Sequence, residues 1–86
     1  MTTAIKLFVK SEKQYNRTRE SLDALGLRSF MLGGYKATVD YGITVFIEEN
    51  TARRYTDGTG SAASYSPNQV YTKRKEFIAA VQKYLV

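Results

Sequence analysis

Cysteine, histidine and tryptophan are absent from this chain, and proline occurs once. Without cysteine there is no disulfide, no thiolate metal site and no cysteine nucleophile. Without histidine the commonest general base and the commonest transition-metal ligand are both missing. Zinc chemistry and Ser-His-Asp hydrolysis are therefore excluded, while carboxylate-based or tyrosine-based catalysis stays open. No apolar run approaches the roughly 18 residues needed to span a bilayer. The opening MTTAIKLFVK is too short and too polar for a signal peptide, so a cytoplasmic location is expected.

What is present is a basic, tyrosine-rich domain. The 86 residues suffice for one hydrophobic core and not for two. Hydrophobic residues make up 43% of the chain, enough to argue against wholesale disorder. Seven tyrosines and four phenylalanines supply the aromatic content, and tyrosine suits half-buried positions and contact surfaces. A net charge of +5 favours anionic partners, although a charge of this size also serves solubility alone.

Along the chain, AIKLFVK alternates Ile5, Leu7 and Val9 against Lys6, Phe8 and Lys10, as a half-buried strand does. Ser11 can cap a helix running to about Leu25, with Gly26 as its left-handed stop and a sparse stripe of Tyr15, Thr18, Leu22 and Leu25. RSFML reads as a second strand, GGY as a bend or bulge, and YKATV as further extended chain. DYG is a turn candidate, and ITVFIEE then buries Ile43, Val45 and Ile47. Residues 50–65 are small, polar and glycine-containing, and read as a loop within the single domain. Ser66-Pro67 signals a helix start, after which Val70, Phe77, Val81, Tyr84 and Leu85 form one stripe, widened by Ile78.

The order expected is β-α-β-β-(β)-loop-α: an α+β domain with a mainly antiparallel sheet and two helices on one face. It resembles the ferredoxin-like (split βαβ) arrangement, without its last strand. An edge left open by that missing strand would invite a second copy, so a homodimer is expected. The run IKLFVK, helix, LGLRSFMLGGYKATVDYGITVFIEE is also similar to small phage-encoded ferredoxin-like accessory proteins, over roughly the first half of the chain.

Three constellations are candidate partner- or anion-binding sites. Arg53 and Arg54, followed by Tyr55, Thr56, Gly58 and Gly60, have the makings of a phosphate clamp: arginine forks bind phosphate bidentately and glycines admit close backbone approach. DGTGSAAS nevertheless lacks the spacing of either nucleotide fingerprint. Tyr35 and Lys36, after Gly33 and Gly34, offer a ring and a cation beside flexible backbone. Tyr55, Tyr65, Tyr71, Lys73, Arg74 and Lys75 interleave aromatics with cations, and Phe8 and Phe46 on the sheet's outer face would add to such a surface. Glu48 and Glu49 point to opposite sides of a strand and cannot easily pair, while Asp40 and Asp57 sit where turns favour aspartate.

No catalytic residue, metal ligand or cofactor is assigned from these residues. The function expected is a non-enzymatic binding protein, of the kind by which phages counter host defences, acting by occluding or sequestering a host protein or protein–nucleic-acid complex in the host cytoplasm. The alternatives are a nucleic-acid-binding or nucleotide-sequestering protein and, third, a small enzyme acting on a phosphorylated substrate.

Overall fold

The computed structural model describes residues 2–38, 40–48, 53–59 and 69–85. Their elements run β1 (Thr2–Phe8), α1 (Glu12–Ala24), β2 (Arg28–Ser29), β3 (Tyr41–Glu48), β4 (Arg54–Thr59), β5 (Gln69–Tyr71) and α2 (Arg74–Leu85). All five strands join one sheet in the order β2-β4-β3-β1-β5. The sheet is mixed, which corrects the expectation of a mainly antiparallel one. β3 runs antiparallel to both β1 and β4, whereas β1 pairs with β5, and β2 with β4, in parallel.

The best-matched pairing is β1 with β3, in register from Thr2↔Glu48 to Phe8↔Gly42. Alternation places Ile5, Leu7, Ile43 and Val45 on one face, all fully buried. Gly42 is what the ladder requires at its end. A Cβ there would lie 2.3 Å from the Leu7 carbonyl oxygen and 2.9 Å from Lys6 Cε.

α1 follows as its sequence signals predict. The Ser11 hydroxyl accepts from the Gln14 N–H at 3.1 Å, and Gly26 leaves the helix with φ +86. Tyr15, Thr18 and Leu22 form its buried side. In α2 the buried residues are Phe77, Ala80 and Val81, with Ile78 and Leu85 packed partly against the core, while Tyr84 is exposed. Residues of both helices and the inner face of the sheet belong to one apolar cluster.

Three segments depart from the sequence reading. The RSFML strand shrinks to Arg28–Ser29, because Met31 adopts φ 50 and turns the chain out of the extended region. Part of the 50–65 segment, expected to be a loop, is strand β4. Its inward positions are Tyr55 and Asp57, so the alternation is there but one inward residue is a carboxylate. Residues 69–71 are strand rather than the first turn of a helix, and Val70, placed on the helical stripe, is an exposed strand residue. Ser66-Pro67 lies outside the described residues.

β5 also occupies the edge expected to stay open, by pairing Gln69–Tyr71 with Ile5–Leu7. The sheet therefore ends on β2 at one side and β5 at the other.

The outer face is covered as well. Phe46 is 4% exposed and Lys6 4%, so this face does not offer an open stacking platform. Lys6 Nζ donates to the Asp40 carbonyl oxygen at 2.9 Å and lies 4.8 Å from the Phe8 ring centre. Burial pulls the Lys6 pKa below the usual lysine value, against an opposing pull from Asp40. Among the described residues no helix is long and apolar enough to cross a membrane.

Candidate contact site

The most organised polar cluster is built around Asp57. Strand geometry sends this side chain to the helix-covered face, where an unpaired carboxylate would be costly. Four donors meet it. Tyr15 Oη and Tyr41 Oη each donate to Oδ2 at 2.7 Å, the Gly34 N–H reaches Oδ2 at 3.0 Å, and the Gly33 N–H reaches Oδ1 at 2.8 Å. Burial pushes the carboxyl pKa up, but these four hydrogen bonds together outweigh it and hold the group below the ordinary aspartate value.

The donors come from three places in the chain. Tyr15 belongs to α1, Tyr41 opens β3, and the two glycines lie in the segment after β2. Gly34, at φ +87, has the left-handed backbone that turns adjacent amides toward one anion. The Tyr41 hydroxyl also lies 2.6 Å from the Gly34 carbonyl oxygen, so its single proton is divided between two acceptors. Tyr35 packs edge-on against Tyr41 with ring centres 5.6 Å apart, and its hydroxyl donates to the Lys10 carbonyl oxygen at 3.0 Å. Asp57 thus ties the segment following β2 to a helix and two strands.

β2, which leads into that segment, is one edge of the sheet. Register puts Arg28 opposite Arg54, and the Arg28 N–H donates to the Arg53 carbonyl oxygen at 3.0 Å. Arg28 and Arg54 therefore share one rung, Arg53 adjoins it in the chain, and all three side chains are exposed. The Arg54 guanidinium lies 4.8 Å from the Phe30 ring centre, and Phe30 in turn packs on Phe46 at 6.0 Å. Arg53 reaches across to the Leu85 carbonyl oxygen at 3.4 Å. Met31, the next residue after Phe30, is 87% exposed.

The residues picked out in the sequence do not form one surface. Tyr55 is fully buried, and its hydroxyl donates to Asp23 Oδ1 at 2.5 Å, so it is a core residue rather than a contact residue. Thr56 and Gly58 are half-buried strand residues, and Tyr35 is half-buried in the tyrosine cluster, whereas Lys36 is exposed. Lys73 and Arg74 stand at the start of α2, and Arg74 donates to Ser21 Oγ at 3.3 Å. Arg54 is level with Ala4 and Tyr71 with Leu7, which separates the two basic groups by about 10 Å along the strands and about 14 Å across them. Gly60 and Tyr65 lie outside the described residues.

Sequence reasoning missed Met31 and the role of Asp57. The signals available were the pair Gly33-Gly34 and the alternation Tyr55-x-Asp57 in a tyrosine-rich chain, whose buried hydroxyls need acceptors. Among the described residues no group of three or more acidic side chains could hold a metal ion. Comparison with protein-family models, curated proteins and solved structures gave no match.

Proposed function

We propose that this chain is a non-enzymatic binding protein that occludes or sequesters its partner through the β2–β4 edge. The observation that carries the reading is the Arg28–Arg54 rung with Arg53 beside it, three exposed cations on ordered backbone at the sheet edge. The Asp57 arrangement supports the non-enzymatic part. Its carboxylate has about four acceptor sites, four donors fill them, and its lowered pKa makes it a poor base at neutral pH.

The partner in this reading is a host protein, and the role that of a phage-type counter-defence inhibitor acting in the host cytoplasm. The ground for that placement is the resemblance read from the pattern of the first half of the chain alone, used by analogy. The homodimer belongs to the same proposal and is assigned to the β5 edge, where Val70 and Tyr84 are exposed. A second reading, nucleic-acid binding, is favoured by the same three arginines.

A photo-crosslinking amino acid placed at Arg28, and as a control at the exposed Gln82 of α2, separates these outcomes in bacterial extract. Discrete nuclease-resistant adducts from position 28 and none from position 82 are expected. Nuclease-sensitive adducts would move the assignment to nucleic acid, and no adduct from position 28 would end the edge proposal.

A further inference from the structure

Met31 departs from two preferences at once. Its backbone lies in the left-handed region at φ 50, where glycine and asparagine are favoured, and its apolar side chain is 87% exposed. A single exposed apolar side chain is ordinary. One whose backbone is fixed in an unfavoured conformation from both sides calls for a reason. Before it, the Phe30 N–H donates to the Tyr55 carbonyl oxygen at 3.0 Å. After it, the Gly33 and Gly34 amides are held by Asp57, and the Gly34 carbonyl oxygen faces the Tyr41 hydroxyl. The segment is therefore already shaped before any partner arrives, which lowers the ordering cost of binding.

The surroundings indicate the partner's chemistry. Leu32 packs partly into the core beside Met31, Phe30 is half-buried against Phe46, and Arg28 and Lys36 are exposed nearby in the chain. We infer that Met31 is the apolar knob of a contact surface for an acidic amphipathic segment of a partner protein. This rests on the binding reading above and names the partner of the same edge. An unbranched, polarisable thioether adapts to varied apolar neighbours. Carboxylates flanking the apolar side of such a segment meet Arg28 and Arg54, and the net charge of +5 favours the encounter. A nucleic-acid strand fits less well, since base stacking needs an open ring face and Phe30 is packed against both Phe46 and Arg54.

The test measures fluorescence anisotropy with three probes: an amphipathic leucine–glutamate peptide of about 18 residues, a scramble of equal composition without one-sided patterning, and an oligothymidylate. Binding of the patterned peptide is expected to weaken with salt. Met31→Leu should keep it, while Met31→Asn, which suits the left-handed backbone, should lose about tenfold in affinity with the melting temperature held or raised. Unchanged affinity in Met31→Asn, equal binding of the scramble, or competition by the oligothymidylate would overturn the inference. Should Arg28→Glu abolish peptide binding while Met31→Asn does not, Met31 fails as the knob and the arginine edge stands. Failure of the edge itself is read separately, from the missing adduct at position 28.

Discussion

Asp57 and Tyr41 meet at 2.7 Å across the β3–β4 ladder, at positions two residues out of direct register. This diagonal contact closes the cluster that fixes the chain between β2 and β3.

Asp57→Asn keeps the shape of the side chain but removes its charge, and turns an amide group toward donors. The expected cost is about 3 kcal/mol of stability, with Tyr41→Phe and Tyr15→Phe each costing about 1 kcal/mol. The effects should not add: once Asp57 is asparagine, either phenylalanine substitution should cost less. Denaturant unfolding of the single and double variants checks this, and strict additivity would dismiss the cluster as a unit.

Stability should fall at both extremes of pH. The Asp57 pKa is held below its ordinary value, so its contribution is present above about pH 3.9 and is lost as pH falls through the folded-state value. Burial raises the pKa of Tyr15, Tyr41 and Tyr55, assisted by Asp57 for the first two and by Asp23 for the third. Their contribution is whole below about pH 10 and is lost as pH rises through their folded-state values. Lys6 acts in the opposite sense. Its lowered pKa means the unfolded chain binds more protons, so stability gains as pH climbs from that lowered value toward about 10.4. Melting curves across the pH range, with tyrosinate absorbance followed alongside, should show these three tyrosines ionising only as the fold is lost. Their ionisation near pH 10 in a folded protein would contradict the arrangement.

Gly42→Ala should be among the most damaging small substitutions. Its methyl carbon would overlap the Leu7 carbonyl oxygen, and the backbone of the central ladder is the part least able to move. A loss of about 3 kcal/mol is expected. A melting temperature within a few degrees of the parent would show that β1 and β3 can separate locally at small cost.

Met31, the one methionine among the described residues, is open to oxidation. Mild peroxide should convert its thioether to the sulfoxide without unfolding the protein, because 87% of the residue already faces solvent. Mass spectrometry of peptides together with circular dichroism checks this, and a loss of structure in step with oxidation would place the side chain in the core instead.

What was legible in the sequence was whatever carried apolar periodicity. Ile5, Leu7, Ile43 and Val45 marked two central strands, Ser11 and Gly26 bounded α1, and Phe77 and Val81 named the core side of α2. β4 was illegible because Asp57 occupies an inward position, and its acceptability depends on hydroxyls from residues 15 and 41, which no local window contains. In a small, polar, glycine-containing stretch that carboxylate completed the look of a loop, and Tyr55, beside two arginines, looked like a contact residue. β5 was misread because Val70 continued the helical spacing of α2, while its actual partner is Lys6 at the other end of the chain. Of the proposed contact edge, Arg53 and Arg54 were found as a pair. Arg28 was not, since only register brings it beside them.

The place of β1 between β3 and β5 bears on how the chain can be made. It precedes every other element among the described residues, yet one side of its backbone finds no ladder until Gln69–Tyr71 has been synthesised, and its apolar face meets Phe77 and Val81 later still. Vectorial folding on the ribosome therefore stops short: an emerging chain can settle α1 and the β1–β3–β4 ladder, but it exposes a sticky strand edge until nearly all of these residues are out. Slow emergence of the stretch between β4 and β5 should thus favour aggregation.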